Sequence, residues 1–323
     1  MCIPLVGAPI GADCLLDAQC RPGESLEYRT AKEILAAEKP PTLKVGFSGE
    51  TNDPLKKKLC KRTMTMTLPV LTATPADAPI EHIRLQYAND GFLLLSGLID
   101  EATSRSASEL LLQLPGMDAN SAAIAPPDLY NAQRKLVEHY ARQDEVLLSC
   151  FSDAFIDMTG ILVDQIDLHR PNGVQTQNLL TASTVWTQPS PHIDGIPKEN
   201  RHRTFPGPYQ IAFIIYLSDI ECRGGGTIGW PGSQHKVRGK AQSDLLQYEY
   251  LFDLNKEVPD LDLGEPVELL PKRGDILFFQ HLWVHGATFN IRPEPRLAIR
   301  PLCSCSACNT RWYKRDGWSF WQP

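Results

Sequence analysis

From residue 160 onward the chain is a succession of short apolar or alternating runs cut by turn residues: "GILVDQIDLHRPNG", "YQIAFIIYLSD", "GGGTIGWPGS", "EPVELLPKRGDILFFQHLWVHG" and "PRLAIRPLC". Runs this short, bounded by Gly and Pro at this density, read as strands of a sandwich or barrel rather than as alternating β-α units. The second half is therefore mainly β. Before it, "IEHIRLQYANDGFLLLSGLIDEATSRSASELLLQL" (80–114) reads as a helix stopped near Asn89-Asp90-Gly91, a strand from Phe92 to Leu95, and a second helix. The spacing of Leu129, Ala132, Leu136, Val137 and Tyr140 within 127–151 predicts a further helix packed outside a sheet.

The first 80 residues carry scattered prolines, a basic cluster "DPLKKKLCKR" (53–62) and the stretch "TLPVLTATPADAP" (67–79), without a sustained apolar period. They read as an N-terminal arm or lid, 1–80, ahead of a main domain, 81–302, and a Cys- and aromatic-rich tail, 303–323. A formal net charge of −6 gives no electrostatic reason to expect a nucleic-acid partner. No run approaches the length of a membrane-spanning helix, and the N-terminus lacks the pattern of a secretory signal. Nine cysteines in a chain large enough to build its own core point to reduced thiols, and with them to a cytoplasmic protein.

Within this β region, "QPSPHIDGIPKENRHRTF" (188–205) sets His192 and Asp194 one residue apart in a stretch crowded with proline. On an extended segment, residues two apart project to the same side, so an imidazole and a carboxylate here can converge on one point. Joined by a distant histidine they make the 2-His-1-carboxylate facial triad, which holds Fe(II) by one face and leaves positions open. Two histidines qualify, His281 and His285, which share strand parity. His285 is favoured because it ends an apolar strand just before a glycine and stands eleven residues before Arg296; His281 is the fallback. Arg296, in the next strand, is placed to clamp the far carboxylate of a keto acid chelated to the metal.

His-x-Asp, a distal His-Gly and the later Arg together resemble the Fe(II)/2-oxoglutarate-dependent dioxygenases. Three further stretches are similar to their phytanoyl-CoA dioxygenase-like branch: "YANDGFLLLSGLID" (87–100), "GGGTIGWPGSQHK" (224–236) and "KRGDILFFQHLWVHGATFN" (272–290). The resemblance covers about residues 87–300. It implies a double-stranded β-helix, a cupin-like jelly roll with flanking N-terminal helices. It also implies His192, Asp194 and His285 as catalytic iron ligands, Arg296 as the 2-oxoglutarate anchor, and O2 as the third reactant. The implied reaction couples conversion of 2-oxoglutarate to succinate and CO2 with oxidation of a small-molecule metabolite, by hydroxylation, desaturation or ring closure, in specialised metabolism. The carboxylate of Asp194 argues against halogenation, since halogenating relatives replace it with a small residue. The chain departs from the branch at Gly225 or Gly226, where asparagine often precedes the glycine, and at Gln234, which lengthens the Pro-Gly-Ser-His segment by one.

Other features read more plainly. His235 closes a turn, and His202 is either a solvated side chain or a substrate contact. Cys303, Cys305 and Cys308 read as free thiols, because a structural zinc site needs four ligands. Trp312, Trp318, Phe320 and Trp321 read as satellite packing, with the lining of a substrate pocket or a subunit contact in a homodimer as the alternatives. The rival functional readings are a cupin-type isomerase or lyase that uses no keto acid, and a non-catalytic jelly-roll binding protein.

Overall fold

The computed structural model describes residues 68–117, 134–164, 168–194, 202–205, 207 and 211–301. The basic cluster at 53–62, the tail cysteines and the tail aromatics lie outside the described residues, as do positions 127–133 of the helix expected there. In chain order the elements are β1 (Val70–Leu71), β2 (Thr74–Pro75), α1 (Ile80–Asp90), β3 (Phe92–Ser96), α2 (Glu101–Leu112) and β4 (Leu136–Arg142). Then come α3 (Glu145–Leu148), α4 (Asp153–Val163), β5 (Val174–Leu179), β6 (Ala212–Tyr216), β7 (Thr227–Gly229), α5 (Ser233–Ser243) and α6 (Leu251–Glu257). The last strands are β8 (Val267–Leu269), β9 (Ile276–Phe279), β10 (His285–Ala287) and β11 (Ala298–Pro301). No helix among the described residues is long and apolar enough to cross a membrane.

The strands form a seven-stranded sheet in the order β2-β3-β9-β6-β11-β5-β4 and a four-stranded sheet in the order β1-β8-β7-β10. From β6 onward the chain passes between them, with β6, β9 and β11 in the larger sheet and β7, β8 and β10 in the smaller, and neighbours antiparallel. Repeated crossing between two facing antiparallel sheets is the jelly-roll, or double-stranded β-helix, architecture. The expected fold is the observed one.

Both faces of the larger sheet are covered, which explains why its strands read as continuous apolar runs rather than as alternation. Phe92, Leu94, Ala212, Ile214, Tyr216, Leu277, Phe279 and Ala298 point inward and pack with Leu269 and Trp283. Leu93, Leu95, Phe213, Ile215, Ile276 and Phe278 point the other way, into a core shared with helical residues such as Ile83, Ala107 and Phe155. There the ring of Phe155 meets Phe213 edge-on at 4.6 Å and stacks on Phe278 at 5.8 Å.

Local chemistry sets the helix ends. Gly91 stops α1 in the left-handed conformation, φ 79°, which costs glycine nothing, and its N–H closes on the carbonyl of Tyr87. Asp100 caps α2 by accepting from the Thr103 N–H at 2.8 Å. Ser152 caps α4, accepting from the Phe155 N–H while donating to the Leu98 carbonyl, and so ties the helix to the turn after β3.

Residues 136–142 correct the sequence reading. Their apolar spacing suits a helix, but they form β4, antiparallel to β5 with Leu136 opposite Leu179 and His139 opposite Thr176. The neighbouring strand decides the outcome, since its edge offers hydrogen bonds that a short segment of modest helix propensity cannot match alone. Lys135, at φ 57°, breaks any helical run entering from the N-terminal side. Residues 68–79 also contribute to the sheets: β1 pairs parallel with β8, and β2 pairs parallel with β3.

The Gly-Asp turn before β9 holds a buried acid. Asp275 is 4% exposed and accepts the Lys272 N–H at 2.7 Å. Burial, together with the charge of Asp219, pushes its pKa up to about 6 from an ordinary 3.8. The folded state therefore binds the extra proton between those values, so this group's contribution to stability is present at low pH and is lost as pH rises through about 6. Asp275→Asn keeps an acceptor for Lys272 without the charge. Its melting temperature is expected to match the parent below pH 4 and to exceed it at pH 7, checked by thermal unfolding across that range.

Candidate metal centre

The proline-rich segment around His192 is extended and lies along β10. The His192 N–H donates to the His285 carbonyl and the His285 N–H donates to the His192 carbonyl, both at 3.0 Å. This antiparallel bridge sets the two side chains on one side, their ring centroids 4.9 Å apart. Asp194, two residues on, returns to the same side. Between them Ile193 turns the opposite way into the apolar core, and its N–H is taken by Asn255 Oδ1 at 2.9 Å. Gly286 permits the close approach, because a Cβ there would lie 2.8 Å from Pro189.

His192, Asp194 and His285 each offer one donor atom, and these atoms lie within 4.8 Å of one another. Nδ1 of His192 is 3.3 Å from the Ser190 carbonyl, and Nδ1 of His285 is 3.1 Å from the Trp283 carbonyl. A carbonyl only accepts, so these contacts put hydrogen on Nδ1 and leave the Nε2 lone pairs for a ligand. Burial first, and His285 second, push the pKa of His192 down to about 4, which keeps its imidazole neutral at pH 7. Burial opposes ionisation of Asp194, but His285, Arg300 and His192 outweigh it and hold the carboxyl below its usual range. Two imidazoles and one carboxylate whose donor atoms converge within 4.8 Å are a donor set that fits a divalent metal.

Aromatic packing sets the plane of His285. Trp283 stacks on its ring at 5.0 Å and 12°, Phe279 lies 5.1 Å away, and Trp283 in turn stacks on Phe92. His285 pairs in register with Gly229 of β7, and a Cβ at Gly229 would fall 2.1 Å from the Trp283 ring.

Two expectations about the distal histidines change. The strand ends at Phe279, and a turn closed by the Trp283 N–H on the Gln280 carbonyl carries the chain across, so His285 opens a strand of the smaller sheet. His281 sits in that turn, buried, with Nε2 3.3 Å from the Thr204 carbonyl and outside the three-residue cluster. Strand parity does not relate the two, because they do not share a strand. His202 is buried, 8% exposed, and is not the solvated side chain weighed above. His235 is exposed on the first turn of α5. Gln234 is buried and its amide donates to the carbonyls of Ala88 and Asn89, both at 3.0 Å, fastening the start of α5 to the end of α1.

Arg296 bridges to Leu179 at the approach to β11, on the inward side with Ala298 and Arg300. It is 2% exposed and donates to the carbonyls of Gly225 at 3.1 Å and Gln177 at 3.0 Å. Its Nε is buried with no hydrogen-bond partner, and it makes no ion pair among the described residues. Burial lowers its pKa to about 10.

Two further features escaped the sequence reading. A cavity of about 310 Å³ adjoins His192, lined among others by Arg134, Thr187, Gln188, Ser190, Thr288 and Phe289. Arg300, on β11, brings Nη2 to 3.6 Å from Asp194 Oδ2. The alternation Arg296, Ala298, Arg300 was the available signal for the second arginine.

No protein-family model and no curated protein sequence matches the chain. Among solved structures it is similar to the non-heme alpha ketoglutarate dependent carbocyclase SnoK from nogalamycin biosynthesis. The two are 18% identical with a TM-score of 0.49, over 71% of this chain and 85% of that one. It is similar also to the non-heme alpha ketoglutarate dependent epimerase SnoN from the same biosynthesis, at 16% identity and TM-score 0.47, over 68% and 80%. The apoform of EctD from S. alaskensis follows at 13% identity and TM-score 0.45, over 72% and 80%.

Gly229→Ala tests the aromatic support of His285. The added methyl has to displace Trp283, so a loss of about 1–3 kcal/mol in unfolding free energy is expected. Weaker Mn(II) binding should accompany it, checked by denaturant unfolding and metal titration.

Proposed function

We propose that the chain is a non-haem Fe(II)/2-oxoglutarate-dependent oxygenase acting on a small-molecule metabolite. The convergence of His192, Asp194 and His285 within 4.8 Å carries this reading. These three would hold the metal, with Nε2 of each histidine and one oxygen of Asp194 as donors. Arg296 supports the keto acid: it is a guanidinium buried against two carbonyls, with an Nε that has no hydrogen-bond partner and no ion pair among the described residues. A buried charge left in that condition is costly, and an incoming carboxylate would relieve it. The hydroxyls and amide around the cavity beside His192 would orient the organic substrate.

When bound, the metal with 2-oxoglutarate and O2 supplies the oxidising power, yielding succinate, CO2 and an oxidised product. The chain's own part is positional. Trp283 and Phe279 hold the His285 plane, the carbonyls of Ser190 and Trp283 set the imidazole tautomers, and Asp194 stays ionised. A carboxylate at that position favours oxygenation over halogenation, and the reduced thiols expected of the chain suit a cytoplasmic setting.

Anaerobic titration of metal-free protein with Fe(II) and then 2-oxoglutarate should produce the visible charge-transfer band of a chelated keto acid. His192→Ala should abolish the band. Arg296→Ala should raise the 2-oxoglutarate concentration needed about 10–100-fold, the worth of a charge-assisted hydrogen-bonded pair. A well-folded protein that binds Fe(II) but gives no band would favour the isomerase or lyase reading, in which Arg296→Ala leaves activity intact.

A further inference from the structure

We infer that Arg300 is a positioning residue that holds the second oxygen of Asp194 and so keeps that carboxylate a one-oxygen ligand. The inference rests on the metal-centre reading above and concerns a residue that reading does not use. The two carboxylate oxygens of Asp194 face different partners. Oδ1 lies 3.5 Å from Nε2 of His285, on the side where the histidine donors converge. Oδ2 lies 3.6 Å from Nη2 of Arg300, is buried, and accepts no hydrogen bond. A buried carboxylate oxygen without a hydrogen bond is a standing cost. The guanidinium beside it, on a side chain only 17% exposed, acts through a medium that screens it weakly.

β11 aims this charge. Arg300 stands opposite Gln175 of β5 in the antiparallel register, on the inward side with Ala298. Gln175 is itself held, its amide donating to Glu138 Oε1 at 2.9 Å, so this end of the inner surface is built from fixed polar groups. At 3.6 Å the contact is an ion pair and not a hydrogen bond. The chemical consequence follows from counting sites. A facial triad with a one-oxygen carboxylate leaves three positions, two for the keto acid and one for oxygen. Should Oδ2 swing onto the metal, one of those positions is lost. A cation drawing Oδ2 away from the histidines guards against that.

The test compares full-length protein with Arg300→Met and Arg300→Lys by Mn(II) titration, reading affinity and the water-proton relaxation enhancement, which reports exchangeable waters on the metal. Arg300→Met removes a cation from beside the metal and frees Oδ2 as a second donor, so Mn(II) is expected to bind about 10-fold more tightly. Its relaxation enhancement should fall by about one third, from three open positions to two. Arg300→Lys, which retains the charge, should return most of the way to the parent in both and carries the test should the methionine variant fail to fold. Unchanged affinity and relaxation in folded variants would overturn the inference while leaving the metal centre standing. Unchanged Mn(II) binding with weakened 2-oxoglutarate binding would also overturn it, reassigning Arg300 as a keto-acid contact. Parent protein that binds neither Mn(II) nor Fe(II) would overturn the metal-centre reading itself.

Discussion

Two hydrogen bonds between the backbones of His192 and His285 hold the candidate site together. Each residue gives its N–H to the other's carbonyl at 3.0 Å, so the pairing fixes position and side-chain direction at once. Side chains opposite one another across an antiparallel bridge lie on the same face, and the next same-face residue on one strand is two positions away. Two imidazoles and a carboxylate then converge by backbone geometry alone, without long side chains reaching across a gap. The proline spacing fits this role. Pro191 has no N–H to offer, and the donor that the bridge requires belongs to the residue after it. Ile193, pointing into the apolar core, anchors the segment from behind.

The supporting shell is aromatic on one side and ionic on the other. His285 rests on Trp283 and Phe279, which belong to the same inner packing as Phe92. Asp194 faces Arg300 on a strand of the opposite sheet. His285 and Asp194 are thus each held from outside their own strand or segment, which couples the integrity of the sheet packing to the shape of the site. Arg296, farther along the same inner surface, donates to the carbonyls of Gly225 and Gln177.

Much of this was legible from the residues. Short apolar runs with Gly and Pro between them specify two covered sheets, and the His-x-Asp spacing specifies convergence once the segment is extended. What was not legible depended on pairing partners that lie elsewhere in the chain. Leu136, Val137 and Tyr140 have a spacing that suits a helix as well as a strand, and only the edge of β5 decides between them. His285 looked like the end of one strand because the turn at 280–284 is as apolar as the strands around it, including buried Leu282, Trp283 and Val284. Arg300 carries the same parity as Arg296, yet nothing in the sequence places it beside Asp194, since that proximity is made by the approach of two sheets. Gln234 looked like a lengthened turn and is a clasp between helices.

The six residues from Val70 to Pro75 lay a strand on the outer edge of each sheet, β1 beside β8 and β2 beside β3. An open sheet edge invites a neighbouring molecule to add its own strand, and a concentrated β protein has to guard against it. Here one short stretch closes two edges. Among the described residues the edges it presents are two residues long, and Pro75 lies on one while Pro69 adjoins the other. Neither proline can donate to an incoming strand. This inconspicuous passage ahead of α1 is thus a guard against self-association, and a chain deprived of it would expose β3 and β8 as templates for aggregation.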